Sequence, residues 1–293
     1  MRLELVVSKD IIKRKFDIND KYNKLRDRLG KHTLVVSNEL LKVWEQDAKD
    51  NNYEEQFQNW YFSIINSNKK VKKVKAVKHN KVKNVRSHQE KTLIATAMAS
   101  RDNIAVGNVD IKTKRKNRSV LFVSEGTFMR VESQTVTMKD VRKVLISGKT
   151  HSIFDIYETP VRLEIELDSD SHALGMYLSK FLRGAKYIKI QDRYILQPEN
   201  ERNLNEYILK YVYKSKTRLT FVISEGRNNT EIVDKFTNYN GYKSDIEFVD
   251  KKQTHHSLLE TDEYIIDLGY RLRVFGDIDD GKTEEEIINI TRK

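Results

Sequence analysis

The feature that most constrains this chain is a rhythm of short apolar runs separated by longer segments whose apolar residues recur at helical spacing. In the first half the runs are LELVV (3–7), HTLVV (32–36), NIAVGNVD (103–110) and the pair SVLFVSEG (119–126) and TFMRVESQTVTM (127–138). Between them, residues 9–29 are charged with apolar residues at helical period, and a second helix is expected from Asn38, capped by Ser37, with Gly30 ending the first. Leu40, Leu41 and Trp44 share a face of that helix, and Phe57, Trp60, Tyr61, Ile64 and Ile65 follow with the same period, as core positions do. A short helix is expected over 139–146. The second half repeats the rhythm: VRLEIEL (161–167), a helix over 171–182, KYIKIQD (186–192), a helix over 201–213, RLTFVISEG (218–226), a helix over 229–238, SDIEFVD (244–250), then EYIIDLG (263–269) and YRLRVFGD (270–277). Strands alternating with helices predict an α/β protein of two domains, each a largely parallel sheet flanked by helices. The SGKTHS segment reads as a linker, which places the domains at 1–149 and 150–293. Its GKT lacks the earlier glycine of a phosphate loop and the strand–helix setting such a loop needs.

Composition narrows the function classes. The chain is 38% hydrophobic and 9% aromatic over 293 residues, enough apolar material for packed cores. The sequence holds no long apolar segment and no secretory leader, so a cytoplasmic location is expected. With no cysteine, disulfides, thiolate metal sites and thiol nucleophiles are excluded. Charge is divided sharply. Residues 1–150 hold 33 Lys and Arg against 17 Asp and Glu, while residues 151–293 hold 21 against 26. The halves carry +16 and −5, which suits a first domain facing phosphates and a second facing something else.

The positive charge is concentrated. Residues 69–86 contain nine Lys or Arg and no acid: Lys69, Lys70, Lys72, Lys73, Lys75, Lys78, Lys81, Lys83 and Arg86. Valines interleave with them, so a strand here would turn Val71 and Val77 inward and present a row of cations to a phosphate backbone. A gatekept edge strand is the plainer reading of the same pattern. A second cluster, Lys112, Lys114, Arg115, Lys116 and Arg118, reads as a loop.

In the order of its elements the first half resembles a PIN-type nuclease domain, over about residues 3–120. The carrying segments are LELVVSKDII, HTLVVSNELLKVWE and SHQEKTLIATAMASRDNIAVGNVD. The resemblance implies clustered carboxylates that hold Mg²⁺ or Mn²⁺ and generate a hydroxide beside a phosphodiester. Matching positions are Asp10, Glu39 or Glu45, Glu90 and Asp110. Asp10, Glu45, Glu90 and Asp110 are thus the candidate catalytic set, with Asp10, Glu90 and Asp110 as metal ligands. The family's first-strand aspartate is replaced by Ser8, which leaves Asp10 displaced by two positions and points to a degenerate domain that binds without cutting.

The second half, over about residues 155–277, resembles the phospholipase D-like C-terminal domain found after MIT modules. The carrying segments are IKIQDRYI followed by ENERNLNEYI, then RLTFVISEG, and HHSLLETDEYIIDLGYRLRVFG. That resemblance makes Asp192, Arg193, Tyr194, His255, His256, Arg271 and Arg273 candidates for partner or ligand contact. Ser257, Arg271 and Arg273 depart from the family pattern. No H-x-K-x₄-D motif occurs, so phosphatidyl-transfer chemistry is not expected and a recognition module is.

These features predict a nucleic-acid-binding effector of nuclease descent, with RNA favoured over DNA, suited to a prokaryotic toxin or phage-defence role. The alternative is an adaptor without catalysis, whose basic domain binds nucleic acid while the second docks a protein. Attachment to anionic lipid ranks last, because no amphipathic anchor accompanies the lysines.

Overall fold

The computed structural model describes residues 2–67, 70–85, 87–129, 135–147, 156–224, 230–277 and 279–293. The chain is α/β and divides into two compact units, one ending at residue 131 and the other running from residue 132 to the C-terminus. No described helix is long and apolar enough to cross a membrane.

In the first unit, β1 (Glu4–Val7) and β2 (Thr33–Val36) are buried at every position, and so is β4 (Ile104–Val106). Such runs are rich in Val, Ile and Leu because both faces of a covered parallel sheet exclude water. With β3 (Val71–Lys73) and β5 (Leu121–Val123) they form a wholly parallel sheet in the order β3-β2-β1-β4-β5. The order reverses between β1 and β4, which makes the carboxyl ends of these strands the natural seat of a ligand. The flanking helices are α1 (Lys9–Phe16), α2 (Asn23–Lys31), α3 (Asn38–Asp50), α4 (Glu54–Ile65), α5 (His88–Ala97), α6 (Ile111–Lys116) and α7 (Glu125–Met129).

Several expectations hold. Ser37 caps α3 by accepting from the Leu40 N–H. Leu40, Trp44, Phe57 and Tyr61 are buried, and the Trp44 indole donates to the Val7 carbonyl at 3.2 Å. Others need correction. Residues 9–29 form two helices with a 3-10 turn at Asp20–Tyr22 between them, started by the Asn19 side chain accepting from the Lys21 N–H. The helix carries on past Gly30 to Lys31. Among the described residues of the basic run only Val71–Lys73 is a strand, and a 3-10 turn follows at His79–Lys81. The second basic cluster is helical rather than a loop, because Asp110 caps α6 through the Lys112 N–H.

The second unit holds β6 (Thr135–Thr137), α8 (Met138–Ser147), β7 (Val161–Ile165), α9 (Ser171–Leu182), β8 (Tyr187–Gln191), α10 (Pro198–Asn203), β9 (Arg218–Ser224), α11 (Thr230–Phe236), β10 (Lys243–Val249), β11 (Leu258–Thr261), β12 (Tyr264–Asp267) and β13 (Glu286–Arg292). Division near residue 132 rather than 149 follows from packing. Strand β6 pairs in parallel with β7, and Val136, Met138, Val141 and Val144 enter the hydrophobic cluster that runs to Ile290. Of the SGKTHS segment, Ser147 closes α8 and the rest lies outside the described residues.

The sheet order is β10-β9-β8-β11-β12-β13-β7-β6. Its parallel part, β8 to β10, matches the expectation of a parallel sheet, and its middle refines it. The pairings of β11 with β8, β12 with β11, β13 with β12 and β7 with β13 are antiparallel. A two-residue turn between β11 and β12 makes that pair antiparallel, pinned by the Thr261 hydroxyl accepting from the Glu263 and Tyr264 N–H groups. The segment YRLRVFGD, expected as a strand, is a buried 3-10 turn at Leu272–Phe275. Its Leu272 N–H is bound by a side chain, Asp192, instead of a neighbouring strand.

Candidate nucleic-acid interface

The carboxyl edge of the first unit's sheet is built from residues that end strands and start helices. The Ser8 N–H donates to the Val106 carbonyl at 2.8 Å, and the Ser8 hydroxyl caps α1. Beside it Gly107 sits at φ +152, where an added Cβ would lie 2.7 Å from both Cβ and Oγ of Ser8. Replacing Gly107 by alanine is expected to cost about 1–3 kcal/mol of stability, read by urea denaturation, because the strain and the overlap fall on backbone that must stay paired. On the other side of β1, the Ser37 hydroxyl pairs with Thr96 of α5 at 2.8 Å. Helix α5 therefore overhangs the edge, since its first residue His88 lies eight positions earlier, about 12 Å along the axis.

Beyond the ends of β2 and β3 lies a cavity of about 730 Å³, lined by Ser37, Asn38 and Glu39 of the α3 start and by the run Lys73 to His79. Lys73, Lys75 and Lys78 give it three ammonium groups. The opening turn of α3 adds the positive end of a helix dipole. The His79 Nε2 lies 3.9 Å from the Glu39 carboxylate and is shielded from water without a hydrogen bond. The His79 and His88 rings meet edge-on, with centroids 5.3 Å apart.

The two basic runs, distant in sequence, form one surface. Buried Asn117, which follows α6, accepts from the Lys83 N–H at 3.0 Å and donates to the Lys83 carbonyl at 2.8 Å and to the Thr113 carbonyl at 2.9 Å. The Thr113 hydroxyl donates to the Asn84 carbonyl at 3.3 Å. Val82 and Val85 are buried beneath, so Lys81 and Lys83 stand outward beside Lys112, Lys114, Arg115, Lys116 and Arg118. Among the described residues no carboxylate ion-pairs with Lys73, Lys75, Lys78, Lys81, Lys83 or the cations of 112–118. Two members of the first run serve the fold instead: Lys70 donates to the Gly30 carbonyl, and Lys72 pairs with the buried Glu4 at 2.8 Å. Lys69 and Arg86 lie outside the described residues.

No family model matches the chain, and no curated protein matches it in sequence.

The carboxylates singled out from the sequence do not assemble. Asp10 is exposed in the first turn of α1, Glu90 lies in the first turn of α5, and Glu45 is exposed on α3. Asp110 accepts from the Lys112 N–H at 2.7 Å. Among the described residues no three His, Asp or Glu side chains gather in a group able to hold a cation. With Ser8 in the place of the first-strand acid, this donor set does not fit Mg²⁺ or Mn²⁺. The acid that α3 buries is Asp47, which accepts from Lys9 at 2.7 Å and from the Tyr53 hydroxyl at 2.7 Å. The hydrogen bond to Asp47 raises the Lys9 pKa, and burial together with Asp47 raises that of Tyr53. Neither this trio nor the histidine pair stands out in sequence, because Lys9 and Asp47, or His79 and His88, share no motif.

In the second unit the residues proposed for partner contact fall into separate places. Asp192 is buried, accepting from the Ser257 hydroxyl, from the Tyr194 N–H at 2.6 Å and from the Leu272 N–H at 2.9 Å. Desolvation raises its pKa against the lowering effect of those bonds. The Arg271 guanidinium lies over the rings of Tyr194 at 4.5 Å and Tyr270 at 5.2 Å. Arg193 also lies over the Tyr194 ring, at 5.8 Å. His256 pairs with Asp267 at 3.3 Å, Arg273 with Glu284 at 2.6 Å, and His255 is exposed. Asp192 is thus an internal tie, and Arg193 and Arg271 beside it are half-buried.

Proposed function

We propose that the first unit grips nucleic acid, RNA in preference to DNA, by its phosphate backbone along the face joined by Asn117, and that the second unit docks a protein partner. The observation that carries this reading is the union of Lys81 and Lys83 with the α6 cations through a buried amide, with no carboxylate pairing among them. Cations that serve solubility alone need no buried staple to hold two of their clusters together. Exposed lysines and arginines without partners are free to replace the counterions condensed on a phosphate chain, which is the dominant source of such affinity. Among the described residues no three acidic or histidine side chains gather as a metal site, so the reading is of grip along the phosphate backbone.

Binding of a labelled single-stranded RNA, titrated at 50 to 200 mM salt, tests this. About six phosphate contacts would give a slope of log K against log salt near −4, from about −0.7 per contact on single strands. A flat salt dependence, or no shift of RNA at 50 mM salt, would sink the proposal.

A further inference from the structure

The cavity at the carboxyl edge carries chemistry that backbone binding leaves unused. We infer that it is a metal-independent ribonuclease centre, in which His79 and His88 work as base and acid on an RNA phosphodiester held by Lys73, Lys75 and Lys78; this rests on the RNA-binding reading above. His79 lines the cavity with those lysines, and Glu39 faces its Nε2 at 3.9 Å. A carboxylate beside Nε2 favours the tautomer protonated there, which leaves Nδ1 as the proton acceptor and makes Glu39 a positioning residue. The shielded Nε2 has no hydrogen-bond partner, so nothing in the wall holds the ring by that atom. His88 stands against that ring with centroids 5.3 Å apart, near enough for one phosphodiester to reach both imidazoles. The later turns of its helix pack into the core, while His88 at the helix start has an exposed side chain.

The reaction that this arrangement supports is internal transfer. The ribose 2′-oxygen attacks the adjacent phosphorus and its proton passes to His79. The bond from phosphorus to the 5′-oxygen breaks, and that oxygen takes a proton from protonated His88. The products are a 2′,3′-cyclic phosphate and a 5′-hydroxyl, with no water or metal consumed. Lys73, Lys75 and Lys78 neutralise the charge that gathers on the non-bridging oxygens as phosphorus becomes five-coordinate. The substrate class is RNA, because DNA lacks the attacking hydroxyl.

The test incubates the full chain in EDTA with end-labelled single-stranded RNA, with the same sequence as DNA and with its 2′-O-methyl form, reading binding by gel shift and products by terminal chemistry. Cleavage of RNA alone, leaving cyclic phosphate ends, is expected. His79→Gln and His88→Gln should each slow it about 100-fold or more while leaving the gel shift and the thermal melt unchanged. Glu39→Gln should lower kcat with KM unaltered. RNA bound but uncut in EDTA, cutting that appears only with Mn²⁺, or unaltered cutting by both histidine variants would overturn the inference and leave the binding reading standing. Failure to bind RNA at all would overturn both.

Discussion

Replacing Asp192 by alanine is expected to lower the unfolding free energy by about 3–5 kcal/mol, because three donors lose their acceptor inside the core at about 1–3 kcal/mol each, partly recovered by relaxation. The Ser257 hydroxyl and the Tyr194 and Leu272 N–H groups all point at this carboxylate. It binds the end of β8 to the start of β11 and to the 3-10 turn after β12, so its loss should loosen the second unit as a whole. Asp192→Asn should cost less, about 1 kcal/mol, since its amide oxygen keeps an acceptor at the same place. The pair also predicts a pH signature. Desolvation raises the Asp192 pKa above that of the unfolded chain, so the folded state holds this proton more tightly. The stability this contributes is complete below the ordinary carboxylate pKa and is lost as pH rises through the raised one. Wild type should therefore lose stability relative to Asp192→Asn as the pH is raised across that window, measured by urea denaturation at a series of pH values. A parallel pH dependence in the two proteins would show that the carboxylate is not strained by burial.

Reversing four charges on the joined basic face, Lys81→Glu, Lys83→Glu, Arg115→Glu and Lys116→Glu together, is expected to weaken RNA binding about 100-fold or more at 0.1 M salt. A slope of about −0.7 per contact corresponds to about 1 kcal/mol per phosphate contact at that salt, so losing three contacts alone accounts for this factor. The same variant should flatten the salt slope by about 2, which separates loss of phosphate contacts from misfolding. All four side chains are exposed and lack ion-pair partners among the described residues, so the melting temperature should hold or rise as like charges are removed. If affinity falls only twofold, the RNA lies elsewhere.

The sequence by itself determined the α/β class, because apolar runs separated by amphipathic segments have few other ways to bury both kinds of face. It also located most helices and their caps: Ser37 before α3, Ser171–Leu182 as α9, and the buried Trp44 and Phe57 were all legible. Local signals suffice where local geometry decides. They failed where a distant group decided. YRLRVFGD has the composition of a strand, yet the Asp192 carboxylate takes the Leu272 N–H and turns the backbone into a 3-10 turn. β13 has the alternation of a strand and was still not anticipated, since its place between β12 and β7 depends on pairings far away in sequence. The division at residue 132 was hidden for the same reason, because β6 looks like the end of the first half until it is seen beside β7.

For the candidate site, the basic runs were readable as charge, and their union was not. An asparagine following KTKRK carries no signature of its own, and only burial against Lys83 and Thr113 makes it a staple. The carboxylates were chosen by their place in the order of elements, and side-chain geometry sent Asp110 to a helix cap and left Asp10 and Glu45 exposed. His79 and His88 came together instead, from the turn within the basic run and the start of α5. Sequence fixes which charges and periodicities are available, since these belong to residues one at a time. Which side chains meet is a property of pairs separated by tens of residues, and that was decided only when the parallel sheet brought its strand ends to one edge.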